Sequence, residues 1–171
     1  MITIETQAQI NALYMMMVAY ESGHPDRIQH LVKVHSFAKL IGQLEGVAAA
    51  QLLIIEAAAL VHDIGIKIAL EQYGSANGEL QEQLGPAEAH KMLKNIAFDQ
   101  PLIERVCYLV GHHHTYEKID GLDYQILVEA DFLVNLFEGS YDAKAIERIQ
   151  ETIFRTSTGT QILKQMFDMQ G

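Results

Sequence analysis

Apolar residues recur at helical spacing along almost the whole chain, and this periodicity limits the available folds more than any other feature. A run of alternating β-branched residues bounded by turns, which would indicate a strand, is not found. The breaks in the pattern fall at short clusters of glycine, proline and aspartate. The sequence therefore predicts an all-α protein, a compact bundle of several helices joined by short connections.

The helical pattern can be divided into segments at these breaks. We expect helices at about 3–22, 25–44, 47–64, 66–73, 86–96, 100–112, 122–138, 142–156 and 159–168. The third is apolar on nearly every face and should be central. Residues Gly74 to Gly78 predict an exposed, mobile loop, which could act as a lid. The last two helices could cover the core or form the face of a homodimer.

Composition excludes several classes of protein. The 171 residues, 49% of them hydrophobic, fit one domain over 1–171. Twelve Lys and Arg against 22 Asp and Glu give a net charge of −10, so polymeric nucleic acid is not an expected partner. No apolar stretch is long enough for a membrane span, and the first twenty residues lack the cations of a secretory signal. We expect a cytoplasmic protein. Because Cys107 is the only cysteine, nitrogen and oxygen atoms must hold any metal.

Three predicted helices direct a histidine or an aspartate towards the core. His30 shares one helix face with apolar residues four, seven, eight and eleven positions further on. His62 and Asp63 end the most apolar helix, and Asp131 interrupts the apolar stripe of the helix at 122–138. A buried carboxylate is costly unless it meets a cation, a metal or strong donors. These four residues are therefore candidates for a shared metal site.

Other histidines extend the pattern. His90 lies on the apolar face of its predicted helix, and the triplet from His112 to His114 ends the next one. Each residue also has an ordinary structural explanation, such as a hydrogen-bonded core histidine for His30, a helix cap for Asp63, a buried ion pair for Asp131 or a dipole contact for the triplet. The combination favours a metal, because five predicted helices each direct such a residue inward. Without thiolates, an open catalytic site for Mn, Fe, Co, Ni or Zn, with Mg less suited, is favoured over structural zinc.

At these positions the sequence resembles the HD-domain superfamily of metal-dependent phosphohydrolases. The resemblance rests on Arg27-Ile28-Gln29-His30, on Leu60-Val61-His62-Asp63-Ile64-Gly65 and on Val128-Glu129-Ala130-Asp131, and it covers about 25–138. It implies a helical bundle of HD type with a metal ion. The implied ligands are His30, His62, Asp63 and Asp131.

Relatives with two metal ions imply a second set of ligands, with Asp63 bridging the ions. His90 and part of the triplet resemble the added histidines. Within the triplet, His113 and His114 are preferred, because the family usually places its ligand three residues after an apolar residue of the same helix, here Val110.

The resemblance implies hydrolysis of a small phosphorylated metabolite, with a nucleotide preferred, by a metal-activated water that Asp63 orients. Lys67 and Arg27 lie close in sequence to the ligands and are candidates to hold phosphate, although either could be an ordinary surface charge. Thr115 replaces the glutamate of the branch that cleaves cyclic dinucleotides, so cyclic di-GMP is not an expected substrate. Two other classes stay open: a di-iron oxygenase of the HD fold, and a non-catalytic ligand-sensing or interaction module.

Overall fold

The computed structural model describes residues 4–169, which form nine α-helices and a short 3-10 helix, with no strand among them. This confirms the all-α prediction. None of these helices combines the length and apolar character needed to cross a bilayer. The helices are α1 (Ile4–Tyr20), α2 (Pro25–Leu44), α3 (Ala49–Val61), α4 (Gly65–Tyr73), α5 (Gly78–Asn95), α6 (Gln100–Val110), α7 (Leu122–Glu138), α8 (Ala143–Ile153) and α9 (Ser157–Met166).

Most predicted boundaries lie within a few residues of these, and the expected start near residue 3 falls outside the described residues. The boundary predicted for α5 is wrong, because this helix begins at Gly78 and not near residue 86. The side chain of Asn77 accepts a hydrogen bond from the backbone N–H of Leu80 and caps the helix early. Pro86 lies inside α5, which packs against α4 and α6 and continues past it.

Helix α3 lies at the centre of the bundle, in contact with α1, α2, α6 and α7. Its second half, from Ile55 to Val61, is completely buried, as predicted for a helix that is apolar on nearly every face. Helix α7 packs on α2 and α3 and is covered in turn by α8 and α9, which bury Phe154 and Leu163. The last two helices therefore cover part of the core.

Two glycines allow α4, α5 and α6 to approach closely. A Cβ atom on Gly65 would lie 2.8 Å from the carbonyl oxygen of Gln81, and one on Gly85 would lie 2.7 Å from Val110 Cγ1. Both distances are shorter than van der Waals contact, so a larger residue would push the helices apart. The close packing places the first turns of α5 beside the start of α4.

A buried carboxylate anchors the C-terminal helices. Glu129 on α7 is fully buried and accepts hydrogen bonds from Gln125 Nε2 at 2.7 Å, from the backbone N–H groups of Arg155 at 2.6 Å and Thr156 at 2.8 Å, and from the Thr156 hydroxyl. These donors include the connection between α8 and α9. Glu129 thus ties that connection to the core.

A second buried carboxylate predicts a measurable pH dependence of stability. Glu56 is fully buried, 3.1 Å from His35 Nε2 and 2.9 Å from Lys39 Nζ. Burial raises the pKa of Glu56, but the hydrogen bonds to His35 and Lys39 outweigh it and hold the pKa below its ordinary value. The unfolded chain therefore binds more protons, so this stabilisation is present above the ordinary glutamate pKa and is lost as the pH falls through the lower folded value.

We expect Glu56→Gln to lower the free energy of unfolding by about 1–3 kcal/mol at neutral pH, because charge-assisted hydrogen bonds are lost. The difference from wild type should shrink in acid, below the ordinary glutamate pKa. Urea unfolding across this pH range measures both effects. Glu104→Gln, at an exposed position, is the control and should give no such trend. A constant difference at every pH would contradict the prediction.

Candidate metal centre

Three packed helices bring four predicted ligands together. His30 lies in the second turn of α2, His62 and Asp63 follow directly after α3, and Asp131 lies in the middle of α7. His30 Nε2 is 3.4 Å from His62 Nε2, 3.1 Å from Asp131 Oδ1 and 3.4 Å from Asp63 Oδ2. His62 Nε2 is also 3.4 Å from Asp131 Oδ1. His62 is fully buried, whereas the Asp63 side chain keeps 17% of its surface exposed.

The hydrogen bonds of the two histidines show that this centre fits a cation. Nδ1 of His62 lies 3.0 Å from Ala59 O, and Nδ1 of His30 lies 2.8 Å from Glu138 Oε2. A carbonyl and a carboxylate oxygen accept, so Nδ1 carries the proton in each neutral ring and Nε2 carries a lone pair. Two lone pairs and two carboxylates therefore converge. Atoms that bind one ion at about 2.0–2.2 Å stand roughly 3.0–3.5 Å apart, as these atoms do.

A second group of ligand atoms shares Asp63 with the first. Asp63, His113 and His114 each offer an atom within 4.8 Å of the others. His113 Nε2 lies 3.2 Å from Asp63 Oδ1, while its Nδ1 bonds to the carbonyl of Val110 at 2.8 Å. One oxygen of Asp63 thus faces His30 and the other faces His113. This arrangement suits a carboxylate between two ions.

The charged groups of the centre shift one another's pKa values. Burial lowers the pKa of His30, but the hydrogen bond to Asp131 and the charges of Asp63 and Asp131 raise it to about 9. Burial raises the pKa of Asp63, but His62 and His113 lower it to about 2. Burial and the nearby His113 lower the pKa of His114 to about 4. The carboxylates are therefore ionised at neutral pH, as ligands of a cation must be, whereas the His30 ring without a metal is protonated on both nitrogens, and a bound cation would replace the proton on Nε2.

His90 is not brought into either group within residues 4–169. It lies half-buried on α5, whereas Gln81 in the first turns of that helix reaches the site, with its Oε1 3.1 Å from His114 Nε2. At a rise of 1.5 Å per residue, His90 lies about 13 Å further along the helix. The expected contact of His90 with the second group is therefore not seen. His112 is the member of the triplet that was not preferred as a ligand. It bonds to the carbonyl of Tyr108 and stacks on the Tyr108 ring.

Arg27 lines the cleft that opens onto the centre. This cleft has a volume of about 440 Å³, and its walls include His30, Asp63 and Arg27. Nε of Arg27 donates to Glu21 Oε2 at 2.6 Å, and the Glu21 side chain is only 1% exposed. The ion pair holds the guanidinium at the wall of the cleft.

Lys67 lies in a neighbouring cleft that shares Arg27 as a wall residue and also includes His24. Its Nζ donates to the carbonyl of Tyr20 at 2.8 Å and lies 4.7 Å from the centre of the Tyr20 ring. The end of α1 and the residue after it thus hold both cationic side chains, Lys67 through Tyr20 and Arg27 through Glu21. Lys67 is beside the main cleft and does not line it.

The structure adds residues that the sequence did not single out. Glu138 bonds to His30, and its position on α7, seven residues after Asp131, is two helical turns further along the same face. The seven-residue spacing from Asp131 could have identified Glu138 from the sequence. Gln81 and Glu82 contact His114, the latter by accepting from its backbone N–H at 2.9 Å. They were missed because α5 was expected to begin after them.

The predicted loop after α4 lies next to the second group. The carbonyl of Ala76 accepts a hydrogen bond from Gln81 Nε2 at 2.7 Å, and a Cβ atom on Gly78 would lie 3.0 Å from the His114 ring. Three residues of this loop are exposed, as predicted: Gly74, Ser75 and Asn77. The loop therefore borders the candidate centre on the side of α5.

Comparisons with known proteins identify the fold and the family of the chain. A crystal structure of a predicted HD superfamily hydrolase from an uncultured Thermotogales bacterium shares the fold, with a TM-score of 0.67 and 23% sequence identity over 91% of this chain and 83% of that one. No curated protein matches the sequence. The family model described as the HD domain matches residues 27–151, a span that contains both groups of converging ligands. By this match over most of its length, the chain belongs to the HD-domain family.

Proposed function

We propose that the protein is a metal-dependent phosphohydrolase that acts on a small phosphorylated metabolite, with a nucleotide as the preferred substrate. The observation that carries this proposal is the convergence of two imidazole lone pairs and two carboxylates at the wall of an open cleft. A divalent ion bound there lowers the pKa of a coordinated water and offsets charge on phosphate oxygens. Membership of the HD-domain family supports the same reaction class.

Asp63 has the central role in this proposal. Its two oxygens lie between His30 and His113, and part of its side chain is exposed. It would accept a hydrogen bond from the attacking water and orient that water towards phosphorus. His30, His62 and Asp131 complete the proposed first ligand set, while His113 and His114 supply the second.

Arg27 is the proposed phosphate-binding residue of the cleft. Glu21 accepts a hydrogen bond from its Nε, and no group among residues 4–169 accepts one from its Nη atoms. A guanidinium presented in this way can bind two phosphate oxygens at once. Lys67, in the adjoining cleft, would add positive charge close to the same anion.

The size of the cleft supports a small substrate. A volume of about 440 Å³ suits a metabolite or a nucleotide. The net charge of −10 disfavours a long phosphate polymer across the surface. The nitrogen and oxygen ligands of the site are best suited to Mn, Fe, Co, Ni or Zn.

The test is a substrate panel on metal-free protein supplied separately with Mn²⁺, Co²⁺, Ni²⁺ or Mg²⁺. Release of phosphate or pyrophosphate is measured for mononucleotides, nucleoside triphosphates and generic phosphomonoesters, with duplex DNA as the control polymer. We expect metal-dependent turnover of a small ester and none of the duplex. Oxygen uptake by iron-loaded protein is measured in parallel. Oxygen consumption with an organic substrate, without turnover of any ester, would support a di-iron oxygenase instead.

The second ligand group predicts the number of ions. Wild type should bind two ions per chain, and His113→Ala should bind one, because His113 is the second group's buried histidine. His112→Ala is the matched control and should keep the wild-type stoichiometry, since His112 contacts Tyr108. Elemental analysis of protein dialysed against excess Mn²⁺ measures the ratio. A ratio of one in wild type and His113→Ala alike would exclude the second ion.

A further inference from the structure

The three buried histidines of the centre do not all bond to the same kind of acceptor. Nδ1 of His62 and Nδ1 of His113 each bond to the backbone carbonyl three residues earlier, at Ala59 and Val110. Nδ1 of His30 bonds to a carboxylate, Glu138 Oε2, at 2.8 Å. His30 is therefore the exception among these histidines.

The position of His30 in its helix explains this difference. His62 and His113 follow the ends of α3 and α6, where the last carbonyls have no partner within the helix. His30 lies inside α2, where the carbonyl three residues earlier already accepts from the backbone of the same helix. Its Nδ1 proton therefore needs an acceptor from another element.

We propose that Glu138 is a positioning residue for metal binding, which accepts the Nδ1 proton of His30 and so directs the Nε2 lone pair into the centre. This inference rests on the proposed metal site. A carboxylate partner also makes an imidazole a stronger ligand than a carbonyl partner does. Glu138 acts only through His30 and is not a ligand itself.

Contacts on both sides keep Glu138 in place. Its other oxygen, Oε1, lies 2.5 Å from Lys33 Nζ, which also stands 5.1 Å from the centre of the Phe137 ring. Lys33 follows His30 by one turn of α2, and Glu138 follows Asp131 by two turns of α7. Helices α2 and α7 are therefore linked by two neighbouring polar contacts, one between His30 and Asp131 and the other between Lys33 and Glu138.

The first measurement is the affinity for Zn²⁺, determined by competition with a chromogenic chelator. Partners of metal-bound histidines typically contribute 10- to 100-fold in affinity, so we expect a loss of about that size in Glu138→Ala and a smaller one in Glu138→Gln. Glu88→Gln is the matched control, because Glu88 pairs with Lys91 at 2.6 Å and forms no hydrogen bond with a histidine among residues 4–169. Its affinity should equal that of wild type.

The second measurement is the ¹⁵N NMR spectrum of the histidine rings in the Zn²⁺-loaded protein. Wild type should show the His30 proton on Nδ1, protected from exchange, and Glu138→Ala should lose that protection while His62 keeps its own. Thermal unfolding of the metal-free variants checks that each one folds. A purely structural role for Glu138 would change the unfolding temperature without changing the affinity of the folded protein.

The outcomes separate this inference from the proposed function. Equal Zn²⁺ affinity in wild type and both Glu138 variants would overturn the inference, even if the protein hydrolyses phosphate esters. A Glu138-dependent affinity without any hydrolysis would support the inference and reject the hydrolase. A wild-type protein that binds no metal would overturn both.

Discussion

Asp63→Ala should abolish both metal binding and hydrolysis. Asp63 belongs to both groups of candidate ligands, so its loss would remove one candidate ligand from each, together with the group proposed to orient the water. We expect metal affinity to fall by at least about 100-fold and turnover to fall to background. Helix content should survive, because Asp63 follows the end of α3 and remains partly exposed.

Metal content, phosphate release and circular dichroism measure these effects. Asp63→Asn tests whether the charge itself is required. Asp142→Asn is the control, because Asp142 caps α8 far along the chain and asparagine caps equally well. Full activity of Asp63→Ala without metal would refute the assignment.

Glu129→Ala should produce the largest loss of stability. It would leave the buried backbone N–H of Thr156 and the part-buried backbone N–H of Arg155 without their acceptor, and the Gln125 amide would lose one of its two acceptors. Each buried donor left without an acceptor costs about 1–3 kcal/mol, so we expect a total loss of at least about 3 kcal/mol. That is a large share of the roughly 5–15 kcal/mol that stabilises a domain.

Urea unfolding of the metal-free protein measures the change. The free energy of unfolding of Glu129→Gln should lie between those of wild type and Glu129→Ala, since an amide retains one accepting oxygen. Glu147→Ala is exposed and serves as the control, with an expected change within about 0.5 kcal/mol. A loss below about 1 kcal/mol in Glu129→Ala would show that α8 and α9 do not depend on this anchor.

The helices were largely predictable from the sequence because apolar periodicity is a local property. The segment of α7 was predicted at its observed bounds, and the burial of α3 followed from its lack of a polar face. The start of α5 was not predictable from Gly and Pro alone. Asn77 caps that helix early, and packing against α4 and α6 accommodates Pro86.

By itself the sequence determined which side chains could meet, since polar residues on apolar faces must find partners in the core. His30, His62, Asp63 and Asp131 were identified in this way. Tertiary structure alone decided which of the candidates do meet: it joins Glu138 to His30 and leaves His90 outside both groups. The physical reason is that spacing within a helix follows from its regular geometry, whereas distances between helices depend on their packing, which glycines such as Gly65 and Gly85 adjust.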